Sequence, residues 1–164
     1  MTKHQIVVMG VSGCGKSTVG ELLAQKLGCR FIDGDDLHSA ANKAKMSAGT
    51  PLNDEDRRPW LATVGEVLSE PVTSTVVACS ALKRIYRNAI LEAAPGTVFV
   101  HLHGTREVLL ERMQTRATHF MKPAMLDSQL AILEPLAAEE PGATFDIERP
   151  VELLVQSIFE TLTK

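Results

Sequence analysis

Short apolar runs of four or five residues alternate along this chain with longer stretches in which apolar positions recur every three or four residues. The first pattern suits strands buried on both faces and the second suits helices covering them, so the rhythm predicts βαβ units wound into a parallel α/β sheet. Five strands are expected, at residues 5–9, 31–33, 75–79, 98–102 and 144–147. A helix over 16–27 gathers Val19, Leu22, Leu23 and Leu27 on one face and stops at Gly28, a residue that tolerates the left-handed turn closing a helix. Another starts after Asn53, whose side chain can cap it, with Asp54, Glu55 and Asp56 at the positive end of its dipole. Pro59 is expected to bend or restart that helix, and Trp60, Leu61, Val64 and Leu68 carry its apolar stripe. Further helices are expected at 83–91, 106–113 and 150–162.

A length of 164 residues suits one domain with a proper core and is short for two. The net charge of −3, with lysines and arginines scattered, argues against nucleic acid as a partner. Cys14, Cys29 and Cys79 form no CxxC pair and have no histidine at metal spacing, so they read as reduced thiols. The first strand begins about five residues in, leaving no room for a cleavable leader, and no run approaches the roughly eighteen apolar residues of a membrane helix. The expectation is a soluble, cytoplasmic protein with no membrane partner.

Chemistry enters directly after the first apolar run. Gly10-Val11-Ser12-Gly13-Cys14-Gly15-Lys16-Ser17 fits the phosphate-binding loop, with two spaced glycines followed by a lysine and a hydroxyl residue. Glycines let the backbone curl with its N–H groups inward, and the following helix turns its positive end toward the same phosphates. Lys16 is expected to reach the β- and γ-phosphates of ATP, and Ser17 to offer its oxygen to Mg²⁺. Thr18 completes the nucleotide-binding stretch.

The third apolar run ends without the aspartate that most such enzymes place there, so the carboxylate must come from elsewhere. Phe31-Ile32-Asp33-Gly34-Asp35-Asp36 supplies it where a strand leaves the sheet. One of Asp33 and Asp35 can serve the metal while the other orients or deprotonates an attacking hydroxyl. Asp36 reads as a helix cap, and His38 as a candidate ligand for a substrate hydroxyl. Lys83 and Arg84 open a helix at the end where cations are disfavoured, which suggests a substrate carboxylate or pairing with Glu92 and other surface acids. Arg112 and Arg116, four apart, share a helix face from which both can clamp phosphate. The aperiodic stretch that follows, about 116–128, reads as a lid or as a plain linking loop.

Taken together, these stretches resemble bacterial gluconate kinases over nearly the whole chain. The resemblance rests on the phosphate loop, on Asp33-Gly34-Asp35-Asp36-Leu37-His38, on Asp56-Arg57-Arg58-Pro59-Trp60-Leu61, on residues 79–87, and on His119-Phe120-Met121. It implies a single domain with a five-stranded sheet ordered 2-3-1-4-5, similar to shikimate and nucleoside monophosphate kinases. It also implies transfer of the ATP γ-phosphoryl group to the 6-hydroxyl of D-gluconate, with Mg²⁺ held by Ser17 and Asp33 and the hydroxyl oriented by Asp35. Lys16, Arg112 and Arg116 then neutralise phosphate charge, while Asp33, His38, Arg57, Lys83 and Arg84 face the sugar acid. The resemblance places adenine near residues 148–150 and implies a homodimer. Two positions depart from the family pattern: Ser39 stands where proline is usual and Thr118 where glycine precedes the histidine. A shikimate-like acceptor and a nucleotide-operated regulatory ATPase are the competing readings.

Overall fold

The computed structural model describes residues 3–114 and 123–164. Five parallel strands, β1 (Gln5–Met9), β2 (Arg30–Asp33), β3 (Thr75–Ala78), β4 (Val98–His103) and β5 (Gly142–Asp146), form one sheet in the order β2-β3-β1-β4-β5. The α/β class and strand order are those expected. β5 begins two residues earlier than its apolar content suggests, because Gly142 lies in register with Phe99 of β4. Sheet pairing extends the strand past the residues that bury themselves.

Alternate residues of each central strand feed opposite layers. Ile6, Val8, Val76 and Val100 pack with α1 (Lys16–Leu27), α5 (Arg106–Gln114) and α7 (Val151–Leu162), in the layer that also holds Leu126 of α6 (Pro123–Ile132). Val7, Val77 and Phe99 pack with α3 (Asp54–Leu68) and α4 (Arg84–Ala93). A strand period of two, read against two helical layers, produces the three-layer architecture.

Helix α3 runs through Pro59 and so, of the two expected outcomes, does not restart there. Proline forfeits one backbone bond, and the cap and the buried face of the helix offset that loss. Asn53 accepts from the Asp56 N–H at 2.7 Å while Asp56 accepts from the Asn53 N–H at 3.0 Å, a reciprocal cap, and Trp60, Leu61, Val64 and Leu68 are all buried. Asp36 does not cap a helix. It lies within a 3-10 turn (Gly34–Leu37) whose cap is Asp33, and the next helix, α2 (Ala40–Ser47), is capped by Ser39, which accepts from the Asn42 N–H at 3.1 Å. Serine at that departure from the family pattern thus supplies a side-chain acceptor that proline lacks. Residues 123–128 of the expected lid belong to α6. Arg116, Thr118 and the rest of the lid reading lie outside the described residues.

Candidate active site

The phosphate loop leaves β1 and the acidic turn leaves β2, with the end of β3 between them in the sheet. Two strand spacings separate the two loops by about 10 Å, a gap suited to a reacting phosphoryl group and its acceptor. The Gly10 N–H donates to the Ser80 carbonyl at 3.2 Å, tying the loop to the β3 exit. Gly13 has φ 84°, and a Cβ there would meet Met113 Cγ at 2.9 Å and the Leu109 carbonyl at 3.0 Å, so glycine is required for shape and for space. Lys16 Nζ donates to the carbonyls of Gly10 and Val11 at 3.0 and 3.2 Å, which centres its charge over the loop. The Ser12 N–H donates to Gln129 Oε1 of α6 at 2.7 Å. Cys14 is buried beneath the loop.

The acidic turn is built to face this loop. Asp33 accepts from Ser17 Oγ at 3.3 Å with one carboxylate oxygen and from the Asp35 N–H at 3.0 Å with the other. Gly34 lies between them because a Cβ would sit 2.5 Å from the Ala78 carbonyl. The Asp35 side chain keeps access to solvent, yet the surrounding protein, and then the Asp33 carboxylate, push its carboxyl above the usual range against the pull of Lys16 and His38. Ser17, Asp33, Asp35 and Lys16 therefore converge.

His38 is buried and stacks on Trp60, with ring centres 4.1 Å apart, and the Trp60 indole N–H donates to the Gly34 carbonyl at 2.7 Å. Trp60 is thus core and site support at once. Burial lowers the His38 pKa, with Arg57 and Lys43 adding to the effect and Asp35 opposing it.

Lys83 and Arg84, adjacent in sequence, diverge. Lys83 Nζ lies 3.4 Å from Asp54, whose carboxylate also accepts from the Tyr86 hydroxyl at 2.5 Å. The Arg57 guanidinium donates to the same Tyr86 oxygen at 3.1 Å, so Arg57 and Lys83 share one cationic patch across the Tyr86 ring. Arg84 turns the other way, to Glu139 at 2.6 Å, while its backbone N–H donates to Glu134 at 2.9 Å. The carboxylates at the start of α4 are Glu134, Glu139 and Asp54, none of them visible as partners from spacing along the chain.

Beneath these surface pairs lies a buried one. Arg87 is fully buried, bidentate to Glu140 at 2.7 and 3.1 Å, and donates to the carbonyls of Ala81 and Leu82 at 2.8 and 3.3 Å. Ala81 holds φ 44°, a left-handed conformation uncommon outside glycine, and Arg87 fastens it there. Burial acts to raise the Glu140 carboxyl, but Arg87 and the Ala137 N–H together hold it below the usual range.

Behind the phosphate loop, a cavity of about 310 Å³ is lined by Gly13, Cys14, Gly15, Thr18, Arg112 and Arg149 among others. A neighbouring one of about 390 Å³ adds Glu111, Glu148 and Pro150 and shares Arg112 and Arg149. Arg112 also donates to the Ile147 carbonyl.

The shikimate kinase family profile matches residues 12–144. A gluconokinase of Sinorhizobium meliloti 1021, known from its crystal structure, is 48% identical, with 97% of this chain and 91% of that one covered and a TM-score of 0.90. A probable gluconokinase of Xenopus tropicalis is 44% identical over 93% of this chain and 90% of its own length. The thermoresistant gluconokinase of Escherichia coli K12 is 40% identical over 98% and 94%. The likeness covers nearly the whole chain and includes the strand order that brings the phosphate loop and the acidic turn together. The chain belongs to the gluconokinase family, a group of ATP-dependent kinases within the shikimate kinase-like phosphate-loop enzymes.

Proposed function

We propose that this chain transfers the γ-phosphoryl group of ATP to the 6-hydroxyl of D-gluconate, giving 6-phospho-D-gluconate and ADP. The observation that carries the reading is the convergence of Lys16, Ser17, Asp33 and Asp35 at one edge of the sheet, in a chain whose relatives are gluconokinases. The acceptor oxygen forms a bond to the γ-phosphorus as the bond to the bridging oxygen of ADP breaks, and the hydroxyl proton passes toward Asp35. A carboxyl raised above its usual range is suited to that task, since a stronger acid would hold the proton poorly. Residues 10–18 hold the phosphates, and Arg112 adds positive charge beside them. Arg116 has the same assigned role. The cavity shared by Arg112 and Arg149 takes the adenosine portion, in keeping with a base site near residues 148–150.

Mg²⁺ fits the donor set on one side. Ser17 Oγ and an Asp33 oxygen stand 3.3 Å apart, both hard oxygen donors at the exit of the loop, and these two residues would hold the ion. When bound, it supplies charge neutralisation to the β- and γ-phosphates. His38, Arg57 and Lys83 face the hydroxyls and carboxylate of the sugar acid. Arg84 is a less direct candidate, since Glu139 engages its guanidinium.

Among the described residues no helix is long and apolar enough to cross a membrane, and the reading places the enzyme in the cytoplasm as the homodimer that the family resemblance implies. ADP release with Mg·ATP and a panel of acceptors tests the assignment. Turnover with gluconate well above the acceptor-free rate is expected. Turnover with shikimate alone, or turnover independent of acceptor, would overturn it.

A further inference from the structure

The Asn42 amide settles a question that His38 leaves open on its own, namely which ring nitrogen carries the hydrogen. Asn42 is buried on α2, and its amide nitrogen lies 2.8 Å from the backbone carbonyl of Asp56 and 3.2 Å from His38 Nδ1. A carbonyl oxygen has no hydrogen to give. The Asn42 atom facing Asp56 must therefore be the nitrogen, because its oxygen there would set two lone-pair atoms against each other. That same nitrogen has a second hydrogen, and Nδ1, 3.2 Å away, is the atom placed to receive it. The ring nitrogen must accept it, so Nδ1 carries no hydrogen and the remaining one belongs on Nε2.

The ring is also held in place. Trp60 stacks on its face, Ser39 accepts from the Asn42 N–H, and the reciprocal cap of α3 fixes the turn that presents the Asp56 carbonyl. The charged groups around the ring are Asp35 on the acidic turn, Arg57 on α3 and Lys43 on α2. Two of the three disfavour a second proton. Among the described residues Nε2 has no hydrogen-bond partner, so the donor it carries is available to a bound molecule.

We propose that Asn42 is a positioning residue that locks His38 as the neutral ring with hydrogen on Nε2. His38 then offers the acceptor molecule a hydrogen-bond donor and is not the group that takes the hydroxyl proton. This deepens the acceptor-site reading above and rests on it for the identity of the bound molecule. The matching ligand chemistry is an oxygen lone pair, from a hydroxyl or a carboxylate, at the position facing Nε2. An analogue lacking that oxygen leaves the donor unpaired and is disfavoured.

Long-range proton–nitrogen correlation spectra of the full-length enzyme without substrate test the lock, with His38 identified by the signals lost in His38→Gln. Near neutral pH, His38 is expected to show a protonated Nε2 and a bare Nδ1. Asn42→Ala should release the ring into a mixture of tautomers and raise the gluconate KM about three- to tenfold, the worth of one hydrogen bond, with the ATP KM unmoved. Asn42→Asp sets a carboxylate against the Asp56 carbonyl, but in the fraction that folds it offers Nδ1 an acceptor instead, so His38 should gain a proton there and kcat/KM should acquire an additional acid-side inflection. Hydrogen on Nδ1 in the unsubstituted enzyme, or the same tautomer retained in Asn42→Ala, would overturn the proposal. So would an unchanged gluconate KM in a folded Asn42→Ala enzyme. A protonated Nε2 in an enzyme that never turns over gluconate would uphold the lock and overturn the gluconate reading.

Discussion

The two sides of the cleft are made in different ways. The phosphate loop is one continuous stretch, residues 10–17, shaped by its own glycines and by the helix it opens. The side proposed to take the acceptor is stitched from the acidic turn, α2, α3, the start of α4 and the 134–140 segment, through side chains such as Asn42, Trp60, Tyr86, Arg87 and Glu134. A backbone cradle takes most of its shape from local sequence, braced from outside at Ser80 and Gln129, and binds what its relatives share. A side-chain network depends on tertiary packing and can be retuned one residue at a time, which suits the part of the enzyme that chooses its acceptor.

The sharpest way to break this contrast is at Asp35. Asp35→Asn should lower turnover by about 10²- to 10⁴-fold with little effect on the ATP KM, measured by coupled ADP release. Because the fold raises the Asp35 carboxyl, keeping it ionised at neutral pH opposes folding, so the same substitution should raise the melting temperature slightly. Unchanged turnover would remove Asp35 from the chemistry.

Next in size is the buried ion pair. Arg87→Met leaves Glu140 buried without its partner and should cost about 3–5 kcal/mol in denaturant titration, whereas pairing it with Glu140→Leu should recover much of that loss. In whatever fraction folds, the gluconate KM should rise more than the ATP KM, because Arg87 holds the turn that carries Lys83. Equal effects on both would mean that the two sides are not separable.

An acid titration affects the whole sheet. His101 is buried on β4 with no partner for Nδ1 among the described residues, and burial, with His103 and Arg87 adding to it, lowers its pKa from 6.5 to about 4. The unfolded chain therefore takes up this proton first as pH falls. Stability from this group is intact above pH 6.5 and drains away toward pH 4, by up to about 3 kcal/mol. His101→Asn, or another uncharged replacement that folds, should flatten the stability–pH profile over that interval.

The smallest expected effect separates two neighbours. Lys83→Ala should raise the gluconate KM about three- to tenfold, as the loss of one charged contact would, while Arg84→Ala should move it less than twofold because that guanidinium faces Glu139. The reverse ranking would return Arg84 to the acceptor site.

The same contrast explains what could be read from the chain. Strands with runs of Val, Ile and Met at their centre, and a glycine loop between strand and helix, announce themselves because their signals lie within a few residues. Helix α2 does not, since Ala40–Ser47 buries only Asn42 and has no apolar stripe to reveal it. The boundary of β5 was equally hidden, because pairing with β4 rather than apolar content sets it. Asp33 and Asp35 were legible as candidates because three acids at a strand end require a reason. Asn42, Tyr86 and Glu134 were not, for their partners lie 14, 32 and 50 residues away and only the folded chain introduces them. A hint was available in the lone tyrosine of the chain, set one turn into a basic helix.

The strand order has a consequence for how the molecule comes into being. Gln5 of β1 is in register with Thr75 of β3, and Ile6 with Val98 of β4, so the central strand has no neighbour nearby in sequence. During synthesis β1 cannot gain both of its flanks until residues 98–103 have left the ribosome. The nucleotide cradle, although it precedes both of its flanking strands in the sequence, gains its full foundation only after β4 has emerged.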